Sequence, residues 1–272
     1  PTISRSPALD VQKKGDPMTQ APLQDYVAII TGAGQGIGRG IALALAKKGV
    51  RVVAVGRTLE KCQATCDMIA ADANIDSLAL QCDVSQLDTL SDIVDKTVAR
   101  FGRIDILINN AVATSIGPLL NQTMEKMQTA FQTGPMATLK LMQLCHPHLK
   151  VRGGSIINMA SSAAKRWDMS NYGVYAAEKD AIRALTRAAA SEWGPDNIRA
   201  NNILPHAKSP ALEKWIKYQP TEAAAFVKSI PLGRIGDCQK DIGEFVALLC
   251  CPESSYISGQ SIALDGGQAF MG

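Results

Sequence analysis

The chain has 272 residues, 46% hydrophobic and 5% aromatic, and a net charge of +3. That is enough apolar material for one large α/β domain or two small ones. The mild charge and the lack of any dense Lys/Arg run argue against nucleic acid or an anionic membrane as partner, and no segment reaches transmembrane length. Seven cysteines, an odd number without framework spacing, read as reduced thiols of a cytoplasmic protein. Cys62 and Cys66 share a helix face but have no histidine nearby, so no metal site is expected.

Residues 1–24 are polar, rich in Pro, Ser, Lys and Gln, and without a period. They read as a leader segment outside the fold, with Met18 a natural start, which leaves 25–272 as a single domain. From Tyr26 onward, short apolar runs alternate with helical stretches. Strands are expected at 27–31, 50–55, 78–82, 104–109, 155–159, 198–204 and 260–264. Helices are expected through 41–48, 59–71, 87–101, 124–149 and 175–193, the fourth interrupted at Gly134-Pro135. This alternation implies parallel pairing with right-handed crossovers. The fold class is therefore α/β, a doubly wound Rossmann-type parallel sheet of about seven strands with helices on both faces. Ligands are expected at the carboxyl ends of the strands. Residues 207–232 break the alternation with three prolines and an amphipathic patch around Trp215, Ile216 and Tyr218. A long insertion there reads as a lid or substrate loop.

The run Thr31-Gly32-Ala33-Gly34-Gln35-Gly36-Ile37-Gly38 follows the first strand and opens the first helix. Glycines in that setting let the chain turn sharply and let backbone approach a pyrophosphate, while helix N-terminal amides face the phosphates. In strand–loop–helix context this points to a dinucleotide. The second strand ends Val55-Gly56-Arg57-Thr58. An acidic side chain there would hold ribose hydroxyls; its absence, with Arg57 able to fork onto a 2′-phosphate, favours NADP(H) over NAD(H).

Tyr175 and Lys179 stand four apart in helical composition, so one turn stacks them on one face. A free phenol titrates near about 10 and is a poor acid/base at neutral pH. A lysine cation beside it is expected to pull that value down and make it useful for carbonyl–alcohol chemistry. Ser162 lies thirteen residues upstream, with Ser161 an adjacent rival.

With these pieces together, the chain resembles the short-chain dehydrogenase/reductase family from about Tyr26 to Gly267. The glycine loop matches its Thr-Gly-x-x-x-Gly-x-Gly motif. Asp83-Val84 is similar to its adenine-contacting position, and Asn109-Asn110-Ala111 to its Asn-Asn-Ala-Gly, with Val112 in place of the Gly. Asn201, Pro205, Ser258-Gly259-Gln260 and Asp265-Gly266-Gly267 match its later segments. The resemblance implies catalysis by Ser162, Tyr175 and Lys179. It implies cofactor contacts from Gly32, Gln35, Gly36, Ile37, Gly38, Arg57, Asp83, Val84, Asn110, Ala111, Tyr175, Lys179 and Pro205. The activity implied is NADP(H)-dependent interconversion of a small-molecule carbonyl and an alcohol, with a transient-oxidation racemase or dehydratase ranked low. It also implies a homotetramer or homodimer, with Leu139, Leu141, Met142, Ala181, Leu185 and Ala188 supplying apolar surface either for the subunit interface or only for the core.

Two departures stand out. The family carries a fourth catalytic residue, an Asn, where this chain has Gly134; Gly134-Pro135 is expected to keep a helix kink and free the Phe131 carbonyl. After Pro205 comes His206-Ala207-Lys208-Ser209-Pro210 rather than the family's run, with Ser209 a stand-in for its Thr. An alternative reading is an NADP(H)-binding sensor or scaffold with little or no turnover.

Overall fold

A computed structural model describes residues 22–165 and 170–269. Seven strands form one sheet: β1 (Val27–Thr31), β2 (Arg51–Gly56), β3 (Ser77–Gln81), β4 (Ile106–Asn109), β5 (Gly154–Met159), β6 (Ile198–Pro205) and β7 (Ser261–Leu264). The order across the sheet is β3-β2-β1-β4-β5-β6-β7, and every pair is parallel. β1, β2 and β4 are almost wholly apolar and buried, as strands covered on both faces must be. The order reverses between β1 and β4, which opens a crevice at their carboxyl ends.

The helices are α1 (Gly36–Lys47), α2 (Leu59–Ala73), α3 (Leu90–Phe101), α4 (Met124–Phe131), α5 (Ala137–Leu149), α6 (Gly173–Glu192), α7 (Pro210–Tyr218), α8 (Pro220–Lys228) and α9 (Glu244–Cys250). One core cluster lies under α1, α2 and α9 and the other under α3 and α5, which gives a three-layer sandwich. The sequence pattern did not mark α9, which with the π-turn Cys238–Gly243 packs on α1. Gly40 and Gly243 make that approach possible: a Cβ on Gly40 would fall 2.3 Å from the Cys238 carbonyl oxygen. Residues 207–232, expected as a loop, form α7 and α8, each with a proline in its first turn.

The expected long helix at 124–149 is two helices joined by a π-turn, Gln132–Met136. Pro135 has no N–H to return to Phe131. In a π register each bond reaches five residues back, so the Phe131 carbonyl falls to the Met136 amide rather than being freed. The helix is interrupted where the proline was expected to break it, but that register does not leave the carbonyl open.

The leader expectation falls mostly on residues 1–21, outside the described residues, but its boundary at 24 is corrected. Leu23 is fully buried, and its amide donates to the Lys48 carbonyl at 3.1 Å. Burying such a side chain is worth about 1.5–3 kcal/mol. Of the residues offered either to a subunit interface or to the core, Leu141 and Met142 fall to the core of this chain, each 1% exposed.

A buried polar ladder fixes α6 to the sheet. Asn109 Nδ2 donates to Asn158 Oδ1 at 2.8 Å, and Asn158 Nδ2 donates to Thr186 Oγ1 at 2.8 Å. Thr186 donates in turn to Asn202 Oδ1 at 2.7 Å. Strands β4, β5 and β6 are thus tied to the helix that carries Tyr175 and Lys179.

Candidate active site

The crevice at the carboxyl ends of β1, β2 and β4 is an open cleft of about 380 Å³. Its floor is the glycine turn. Gly32 has φ +68°, and a Cβ there would lie 2.6 Å from Asn110 Nδ2. A Cβ on Gly38 would lie 2.3 Å from the Gly32 carbonyl oxygen. The turn is therefore closed to any larger residue, and α1 starts at Gly36 with no acid in its first turn. Thr31 Oγ1 accepts from the amides of Asn110 and Ala111 at 2.9 and 3.0 Å, which clamps the end of β4 against the turn. Such a cradle of backbone amides at a helix N-terminus fits a pyrophosphate. Arg57 lines the cleft at the end of β2, and Asp83 and Val84 line it beyond β3.

The acid/base pair lies beyond β5. Lys179 is 3% exposed, and its Nζ donates to the Met159 carbonyl at 2.9 Å. The same Nζ sits 5.6 Å from the centre of the Tyr175 ring. The Ser161 side chain stands close enough to the phenol to act on its titration. Burial raises the Tyr175 phenol above its ordinary value, partly offset by Ser161, with the nearby Glu178 carboxyl adding to the rise. This corrects the expectation of a phenol depressed by lysine. The reason lies in Lys179 itself: burial pulls it down to about 8, against the raising effect of Glu178. It therefore lends the phenol less positive charge than an ordinary lysine would.

A family model described as Enoyl-(Acyl carrier protein) reductase matches residues 32–269. A 12alpha-hydroxysteroid dehydrogenase of Clostridium sp. is 40% identical over 248 residues, covering 89% of this chain and 95% of the relative. The chain belongs to the short-chain dehydrogenase/reductase family. It is thereby an oxidoreductase acting on CH–OH and C=O groups, in a family that binds a nicotinamide cofactor. Two solved structures of such enzymes superpose with a TM-score of 0.85 each. One is a 7 alpha-hydroxysteroid dehydrogenase complexed with NADH and 7-oxo glycochenodeoxycholic acid, 32% identical, covering 91% of this chain and 95% of that one. The other is a putative short-chain alcohol dehydrogenase from Sinorhizobium meliloti, 29% identical, covering 90% and 97%.

Within this dehydrogenase/reductase, Gly32, Gln35, Gly36, Ile37, Arg57, Asp83, Val84, Asn110 and Ala111 line the cleft together. Gly38 lies behind the turn. Tyr175, Lys179 and Pro205 are not part of the cleft wall; Pro205 is half-buried at the end of β6. Ser162 is buried in a short 3-10 turn, 162–165, and it is Ser161 that meets the phenol. Sequence reasoning missed Lys61, which lines the cleft one helical turn after Arg57 and donates to Gln35 Oε1 at 3.2 Å. The spacing of four from Arg57 was the available signal. Ser209 lines the cleft and caps α7, accepting from the Leu212 amide at 3.4 Å. Pro210 follows it over Gly36, where a Cβ would lie 3.1 Å from the proline ring. His206 packs edge-on against Phe226, which packs edge-on against Trp215, so these rings hold α7 and α8 to the end of β6. Among the described residues no helix is long and apolar enough to cross a membrane.

Proposed function

We propose that this short-chain dehydrogenase/reductase interconverts a carbonyl and a secondary alcohol with NADP(H), using Tyr175 as the acid/base. The observation that carries the reading is the Tyr175–Lys179 pair at the end of β5, with Lys179 Nζ anchored on Met159 and close to the phenol ring. When bound, the dinucleotide supplies or accepts the hydride. Tyr175, raised by burial, stays protonated at neutral pH and is set to give its proton to a carbonyl oxygen. Ser161 holds the phenol in place. Ser162, at the family's spacing, is assigned to the substrate oxygen, which it polarises. Lys179 holds the cofactor's ribose and lends positive charge while it stays protonated. Gly32, Gln35, Gly36, Ile37, Gly38, Asn110 and Ala111 hold the dinucleotide, with Asp83 and Val84 at its adenine end and Pro205 at the nicotinamide end.

The NADP(H) preference is supported by two cations, Arg57 and Lys61, on the cleft wall where a 2′-phosphate would lie, and by the absence of a carboxylate at the end of β2. The substrate assigned is a bulky apolar alcohol or ketone. Exposed Ile116, Leu119 and Leu120 after β4, and the Trp215–Phe226 pair across α7 and α8, offer it apolar surface. The hydroxysteroids named for the two dehydrogenase relatives are the first compounds to try. Residues 207–232 act as the substrate cover, the chain from Leu23 onward as one catalytic unit, and the enzyme as a cytoplasmic homodimer or homotetramer.

The test is a panel of hydroxysteroids, simple ketones and alcohols followed by nicotinamide absorbance with both cofactors. A higher kcat/KM with NADPH than with NADH, on a bulky apolar substrate, is expected. A clear NADH preference overturns the cofactor assignment. Tight NADPH binding without turnover on any compound favours the sensor reading, for which Gly134 and Val112 are the motivating departures.

A further inference from the structure

Glu178 stands one residue before Lys179 on α6 and is fully buried. Neither carboxyl oxygen has a hydrogen-bond partner among the described residues. A buried, unpaired carboxyl is costly and rare, and one kept beside an acid/base pair calls for a reason. Its nearest cation is Lys179, with Nζ 4.0 Å from Oε1. Its other side faces the π-turn. A Cβ on Gly134 would lie 3.6 Å from Oε2 and 3.7 Å from the carboxyl carbon. A methyl just fits there, but any longer side chain at 134 would have to displace the carboxyl. Gly134 and Glu178 therefore form one arrangement: the first leaves a pocket and the second fills it with a charge.

We propose that Glu178 is the counter-charge of the acid/base site, a positioning residue that holds Lys179 as an ammonium beside Tyr175. The inference rests on the reading of Tyr175 and Lys179 as the acid/base pair.

Among the described residues, the surroundings leave these two groups to each other. The π-turn carries no titratable side chain, and neither does β5. From the elements packed on α6, Glu125 and Lys126 of α4 and Lys165 after β5 are exposed to solvent. Asp196, in the turn after α6, is hydrogen-bonded to His146. Arg199 of β6 is bonded to the carbonyls of Leu249 and Ile257. On α6 itself Asp180 pairs with Arg183, and Tyr175 and Tyr172 are the remaining titratable groups nearby.

The charges respond accordingly. Burial pushes the Glu178 carboxyl up from its ordinary value, while Lys179 draws it back down. Burial pulls the Lys179 amine down, while Glu178 draws it back up. Each partner thus favours the charged form of the other. The carboxylate thus extends to higher pH the range over which Lys179 keeps its charge. It also disfavours a phenolate on Tyr175, which keeps the phenol in its proton-donating form.

The experiment compares Glu178→Gln and Glu178→Asp with the parent chain. One readout is the pH titration of the Lys179 ε-carbon by 13C NMR in the cofactor-free protein, assigned with Lys179→Met. The other is the pH profile of kcat/KM. Removing the carboxylate removes an attraction felt only by the ammonium. The Lys179 midpoint in Glu178→Gln should therefore fall by about one pH unit, and the alkaline limb of activity should move with it. Glu178→Asp keeps the charge and should restore most of the shift, which a purely space-filling role would not. A Lys179 midpoint unchanged in Glu178→Gln overturns the proposal whether or not the variant turns over. A midpoint that falls while the activity profile stays fixed supports the counter-charge, and it overturns instead the assignment of Lys179 to the reaction. If Glu178→Gln does not fold, the Asp variant and Gly134→Leu, which crowds the carboxyl, are read by the same titration. Parent-like midpoints in Gly134→Leu overturn the proposal.

Discussion

The glycine cradle and the acid/base pocket lie at the same end of one sheet, yet they are built on different principles. The cradle is backbone. Gly32 and Gly38 are small because neighbouring atoms stand 2.6 and 2.3 Å from where a Cβ would be, and the chemistry comes from amides at the start of α1. The acid/base pocket is side chain. Tyr175, Lys179 and Glu178 take their character from burial and from each other, so the same residues would behave differently a few ångströms nearer water. A cradle is specified by what cannot be larger; a buried charge cluster is specified by what its neighbours are.

That contrast can be broken or sharpened by substitution. The largest effect is expected from Tyr175→Phe, which deletes the proton-transfer group. Turnover should drop by about 10²–10⁴-fold, with the NADPH dissociation constant near that of the parent. A comparable loss in binding would mean that the two regions are not separable. Ser162→Ala should lower kcat by about 10²-fold, and Ser161→Ala by less, since Ser161 touches the phenol rather than the substrate. The reverse ranking in steady-state kinetics would hand the substrate oxygen to Ser161. On the cradle side, Arg57→Asp should move the NADPH/NADH ratio of kcat/KM toward NADH by about 10- to 100-fold, with kcat little changed. Gly38→Ala should weaken NADPH binding and lower folding stability by about 1–3 kcal/mol, seen in calorimetry and in denaturant melts. A Gly38→Ala variant that binds NADPH as tightly as the parent would show that the turn yields more than its contacts suggest.

The sheet was legible because apolar runs of strand length alternate with helical stretches, and all seven appear near their expected positions. The glycine turn was legible for the same kind of reason, since local geometry demands a residue type. What escaped the sequence depends on contacts between distant residues. The helix α9 lacks a strong period of its own and is held by α1 through Gly40 and Gly243. The phenol was expected to be depressed because spacing on a helix reports nearness but not burial. Gly134 read as part of a kink with Pro135 and not as the neighbour of Glu178, which lies 44 positions away along the chain and meets it only across the π-turn. Residues 207–232 read as a loop because prolines were taken as breakers, whereas Pro210 and Pro220 each begin a helix.

The Asn109–Asn158–Thr186–Asn202 ladder bears on how this protein can drift in evolution. Asn158 and Thr186 each accept from one neighbour and donate to the next, so replacing either by an apolar residue strands amides or hydroxyls on both sides in a dry interior. Lineages that alter Asn158 should therefore carry a compensating change at position 109 or 186, and these sites should mutate together or not at all.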